Sequence, residues 1–109
     1  MPLIDRQKDK PIVNIENVVA SAILHQNMSL NDIVKTFPNV EYKPEQFPGL
    51  VFRLKKPRTA TLIFSSGKMV CTGAKSEDQA KKAVFKVVAE LKKGGIVIQG
   101  KPEITIQNI

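Results

Sequence analysis

The 109 residues of this chain, 12.1 kDa in mass, suffice for one small core with a covering layer of helices and leave no room for a second complete domain. Seventeen Lys and Arg against ten Asp and Glu give a formal charge of +7 and a pI near 9.7, which suits a polyanionic partner without identifying it. Cys71 is the single cysteine, which excludes an intrachain disulfide and a thiolate zinc framework and points to a reducing, intracellular setting; no apolar run nears the ~20 residues that cross a bilayer.

Residues 1–10 read as a polar leader lacking a signal-peptide core. From Pro11 to Leu24 the run PIVNIENVVASAIL carries one charge, Glu16, and predicts a long strand. Ser29 with Asp32 three residues on marks a helix start, Leu30, Ile33, Val34 and Phe37 keep helical spacing, and Pro38 ends it, so a short helix is expected over 29–37. Turns around Pro44, Pro48 and Gly49, around Pro57, and around Gly67 then separate the strand candidates LVFRL, TATLIF and MVCTG. Ser76 and Gln79 form a second capping box before the apolar stripe Ala80, Ala83, Val84, Val87, Val88 and Leu91, and Gly94 and Gly95 close this helix. Lys81, Lys82, Lys86, Lys92 and Lys93 occupy its polar side. A last strand-like segment, ITIQNI at 104–109, echoes VNIENV at 13–18 with Asn108 lying 91 residues after Asn17; six residues alone do not separate a repeat from coincidence. The order strand, helix, antiparallel strands, helix, strand describes an α+β domain.

Sorting each strand by parity gives two largely apolar faces. Val18, Ala20, Ala22 and Leu24 oppose Val13, Ile15, Asn17, Val19 and Ile23; Ile63 and Ser65 oppose Leu62 and Phe64; Met69 and Cys71 oppose Val70 and Thr72. Two helices can cover only one face, so Val19, Leu62, Phe64 and Val70 are expected to form an apolar patch that another molecule closes. A second protein sheet and a nucleic acid both satisfy that requirement.

Enzyme chemistry finds little support. FSSGKMV has Leu62 where a phosphate-binding loop needs its first glycine and Met69 where it needs Ser or Thr, and His25 has no cysteine near it in sequence. An RNA-recognition module would need an aromatic motif on its third strand that is absent.

EYKPEQFPGLVFRL, PRTATLIFSSGKMVCTGAKS and the Asn-Val-Val-Ala start together resemble the first repeat of an archaeal-type TATA-box-binding protein, over about Pro11 to the end. The resemblance implies residues 11–103 as one repeat, with 104–109 as the first strand of a truncated second one, and a curved antiparallel sheet of about five strands with two helices on its convex side. It implies a general transcription initiation factor that binds and bends A/T-rich promoter DNA through the minor groove and needs no cofactor. By position, Phe47 and Phe64 match the family's wedge phenylalanines, Asn17 and Thr72 its groove-reading polar groups, and Val19, Leu62 and Val70 its apolar floor. Arg53, Ser66, Lys68 and Lys75 match its phosphate rim. Lys82, Lys86 and Lys93 resemble a convex docking surface for other transcription proteins. Lys43 stands where the second repeat carries an acid for transcription factor B, so contact with that factor and the RNA polymerase machinery is expected mostly through the other half. Localisation would follow the DNA: archaeal cytoplasm, or nucleus in a eukaryote. The alternative expectation is an interaction module, with two half-saddles pairing through the edge near the first strand and residues 104–109.

Overall fold

The computed structural model describes residues 18–108; the polar leader, Asn17 and the 11–17 part of the first expected strand lie outside them. Seven elements follow in chain order: β1 (Val18–Ile23), α1 (Leu30–Thr36), β2 (Leu50–Lys55), β3 (Arg58–Ile63), β4 (Lys68–Ala74), α2 (Glu77–Lys93) and β5 (Glu103–Asn108). The strands form one antiparallel sheet in the order β2-β3-β4-β1-β5.

Both helices start where their caps stand. Ser29 Oγ accepts from the Asp32 amide at 3.3 Å and Ser76 Oγ from the Gln79 amide at 3.1 Å, each satisfying an amide that a helix start leaves without a partner. The Gln79 side chain closes its half of the box one residue earlier than expected, its Oε1 accepting from the Lys75 amide at 2.8 Å. Phe37 ends α1, and Pro38 forbids continuation.

The core lies on one side of the sheet. The stripe Ala80, Ala83, Val84, Val87, Val88 and Leu91 of α2 is buried, mainly against β1 and β4, and Leu30 and Ile33 of α1 join the same cluster. From the sheet come Val18, Ala20, Ala22, Leu50, Phe52, Leu54, Ile63, Met69 and Cys71, all buried and all of one parity within their strands. Burying each larger side chain contributes about 1.5–3 kcal/mol, so this single layer of contacts carries the fold. The small residues Ala20 and Ala22 on β1 and Ala80 and Ala83 on α2 leave room for the helix to lie close to the strand.

Cys71 sits beneath this layer, opposite Thr61 in the β3–β4 register. Thr61 Oγ1 is fully buried with no hydrogen-bond partner among the described residues. Burial pushes the Cys71 thiol up from its ordinary value, against a weaker opposing influence of the Thr61 and Thr59 side chains. A buried thiol held protonated is a poor nucleophile. A thiol reagent at neutral pH should therefore modify Cys71 slowly in the native chain and rapidly in denaturant; equal rates would mean that the α2 layer does not close over β4.

β5 lies antiparallel along β1, pairing Val18 with Asn108 through Ile23 with Glu103. The edge of β1 is thus taken by the chain's own strand, and of the two regions expected to pair copies of the chain, only β5 presents an open edge.

Candidate nucleic-acid interface

Strand parity places a second set of side chains on the side away from the helices, and the registers arrange them in rows. Val51, Leu62, Val70, Ser21 and Thr105 run across all five strands as direct partners. Beside them run Arg53, Ala60 and Thr72, then Val19 and Gln107 on the far side of an irregularity between β4 and β1. That irregularity contains Gly73 at φ 93°, a conformation that side-chain-bearing residues rarely adopt, and it inserts one extra β4 residue opposite β1. Lys68, Ile23 and Glu103 form a third row.

Of the apolar members of these rows, Val19, Val51, Ala60, Leu62 and Val70 are half-buried and Ile23 is exposed, and no described element lies across them. The face grades from apolar on β2, β3 and β4 to polar on β5, where Thr105 and Gln107 stand. Ile104 and Ile106 of β5 instead pack toward the core.

Phe64 follows β3 directly, at the hairpin where its amide donates to the Lys68 carbonyl at 2.9 Å. Phe47 arrives from the loop before β2, its amide held by the Lys43 carbonyl at 3.0 Å. Their rings meet edge to face with centroids 5.8 Å apart and planes at 69°. Gly49 makes this meeting possible: a Cβ there would lie 2.6 Å from Cε2 of Phe47 and 3.1 Å from Cε2 of Phe64. Phe47 remains 43% exposed, so a large apolar ring stands in water at one end of the open face.

Charge surrounds the face rather than crossing it. Ser66 and Lys68 are exposed at the hairpin end beside the rings; Lys55, Arg58 and Arg53 are exposed toward the other end of β2 and β3. Arg53 Nη1 lies 3.0 Å from Glu41 Oε1. Lys75 stands apart from Lys68, just after the far end of β4 and past the bulge, roughly 20 Å away at strand rise. Thr72 Oγ1 donates to the Ala60 carbonyl at 3.2 Å, so its proton is engaged within the sheet and must turn away to serve any ligand.

Of the expected site residues, the fold brings together Phe47, Phe64, Leu62, Val70, Ser66 and Lys68 at one end, and Arg53, Thr72 and Val19 in the adjoining row; Asn17 is outside the described residues. Parity within LVFRL and TATLIF already contains Val51 and Ala60, whereas Ser21, Thr105 and Gln107 join the face only through the β4–β1–β5 register. Arg58 was legible only as a charge beside a turn. A hollow of about 550 Å³ lies beyond the α1 end, lined by Phe37, Val40, Phe52, Lys86 and Glu90, and Arg53 and Lys55 at the margin of the open face also reach it.

Comparison with known proteins agrees with this geometry. The family model described as "Transcription factor TFIID (or TATA-binding protein, TBP)" matches residues 12–94. The TATA-box-binding protein of Sulfurisphaera tokodaii is 55% identical over 100 residues, 92% of this chain and 50% of that protein. That of Archaeoglobus fulgidus is 50% identical over 97 residues, 89% of this chain and 53% of the relative. A solved structure described as Methanococcus jannaschii TBP superposes with a TM-score of 0.76 at 49% identity, covering 89% of this chain and 55% of its own. The chain spans about half the length of the relatives it matches.

Proposed function

The chain belongs to the TATA-box-binding protein family, and from that premise we propose that its open sheet face seats the minor groove of A/T-rich promoter DNA, as half of a transcription initiation factor. The observation that carries this reading is the pairing of Phe47 and Phe64 at the end of an uncovered apolar sheet, with cations at its margins.

With centroids only 5.8 Å apart, the two rings act as one wedge at one base step. Insertion replaces base stacking with ring contact, at a cost of a few kcal/mol that the contact made by the bent duplex along the sheet offsets. Leu62, Val70 and Val19 then press on the groove floor. A guanine N2 amino group against them is a buried donor without an acceptor, costing ~1–3 kcal/mol, whereas adenine and thymine present no such donor. Thr72, once its hydroxyl turns from Ala60, can donate to adenine N3 or thymine O2, and Asn17 is proposed to do likewise. Arg53, Ser66, Lys68 and Lys75 take phosphates, which adds affinity and salt dependence without reading sequence. By the family resemblance, contact with transcription factor B is proposed mainly for a second repeat and not for this one.

The test is a titration of the chain with A·T-rich and G·C-rich duplexes at two salt concentrations. Preference for the A·T-rich duplex, persisting as salt rises, is expected; equal affinities would leave the face as a protein-interaction surface. Lys68→Ala should weaken both duplexes alike and lower the salt slope by about 0.9, the contribution of one neutralised phosphate. An effect confined to the A·T-rich duplex would remove Lys68 from the rim.

A further inference from the structure

We propose that Glu41 is an affinity-limiting residue, which holds Arg53 in an ion pair so that a DNA phosphate must displace the carboxylate before it can use the guanidinium; this rests on the minor-groove reading above.

The backbone places Glu41 for this role. Its amide donates to the Val51 carbonyl at 3.1 Å and its carbonyl accepts from the Val51 amide at 2.8 Å, so Glu41 forms a one-residue bridge outside β2. Residues directly opposite in an antiparallel pair project to the same side, and Val51 belongs to the open face. Glu41 therefore projects there too, diagonal to Arg53, where its Oε1 meets Nη1 at 3.0 Å. With Phe47, Gly49 and Val51 it lines a shallow hollow beside the wedge.

Both side chains are about half exposed, 58% for Arg53 and 48% for Glu41, and a pair so well hydrated adds little to the stability of the fold. Its effect on a polyanion is larger for two reasons. A carboxylate beside Arg53 repels an approaching phosphate, and a cation that is already neutralised releases fewer counterions from the duplex. Glu41 thus sets an acid against the cationic margin formed by Arg53, Lys55 and Arg58, with Lys43 as a further cation in the hollow.

The experiment is a double-mutant cycle of Glu41→Gln and Arg53→Gln, read as duplex affinity on both A·T-rich and G·C-rich DNA between 50 and 200 mM salt. Glu41→Gln should tighten binding by at least about threefold at 50 mM, steepen the salt slope by about 0.9, and lose that gain in the Arg53→Gln background. Unchanged or weaker binding by Glu41→Gln, or an equal gain without Arg53, overturns the proposal. Because the cycle is also read on G·C-rich DNA, equal affinity of the unsubstituted chain for the two duplexes would overturn the groove reading on which this proposal rests, whereas a clear A·T preference without the Glu41→Gln gain would overturn this proposal alone.

Discussion

Phe64→Ala is expected to weaken binding to an A·T-rich duplex by roughly five- to 150-fold, the range of about 1–3 kcal/mol that removing one aromatic stacked on a base produces. Binding to a G·C-rich duplex, held mainly by phosphate contacts, should change far less. The reason lies in the ring pair: Phe64 supports Phe47 edge to face at 5.8 Å, so truncating it both removes one half of the wedge and lets the exposed partner ring turn away. Fluorescence anisotropy on the two duplexes at one salt concentration measures the difference directly. Equal losses on both duplexes would show that Phe64 supports the chain and not the DNA. A thermal melt of the variant keeps the result interpretable, because Phe64 is only half-buried and its loss should leave the core intact.

The second large effect separates two neighbours in one strand. Ile63 is fully buried between Leu50 and Met69, while Leu62 is half-buried between Val51 and Val70 on the opposite face. Ile63→Ala should cost about 2–5 kcal/mol of folding free energy, a drop of roughly 10–30 °C in Tm for a domain of this size. Leu62→Ala should move Tm by a small fraction of that and, on the proposed reading, reduce affinity for the A·T-rich duplex severalfold, since its side chain faces away from the core. Denaturation and titration of both variants give four numbers. If Leu62→Ala destabilises the fold as much as Ile63→Ala, the face is covered and the proposed interface is lost.

Much of the architecture was legible along the chain because the physics behind it is local. Ser29 and Ser76 cap their helices as hydroxyls three residues before an amide can, and the α2 stripe is buried residue for residue because helical spacing leaves no other face for it. The segment between α1 and β2 joins the sheet through the Glu41–Val51 bridge, and Pro44 and Pro48 lack the backbone donors that a longer ladder needs. The roles proposed for Phe47, Arg53 and Lys75 come from the resemblance to a known family, since no periodicity marks these residues.

What stayed hidden depends on partners distant in sequence. The approach of Phe47 to Phe64 needs the loop before β2 to fold back over Gly49, and the engagement of Thr72 with Ala60 needs the β3–β4 register. Neither Glu41 nor Arg53 announces the other, because a charge in a sequence carries no direction. Alternation of side chains along each strand is a property of the single chain, and it determined from the residues alone that this sheet has two apolar faces and helices for only one. Which side chains stand together on the open face was decided by strand order and by the extra residue at Gly73, because hydrogen-bond register between strands depends on where a distant segment docks.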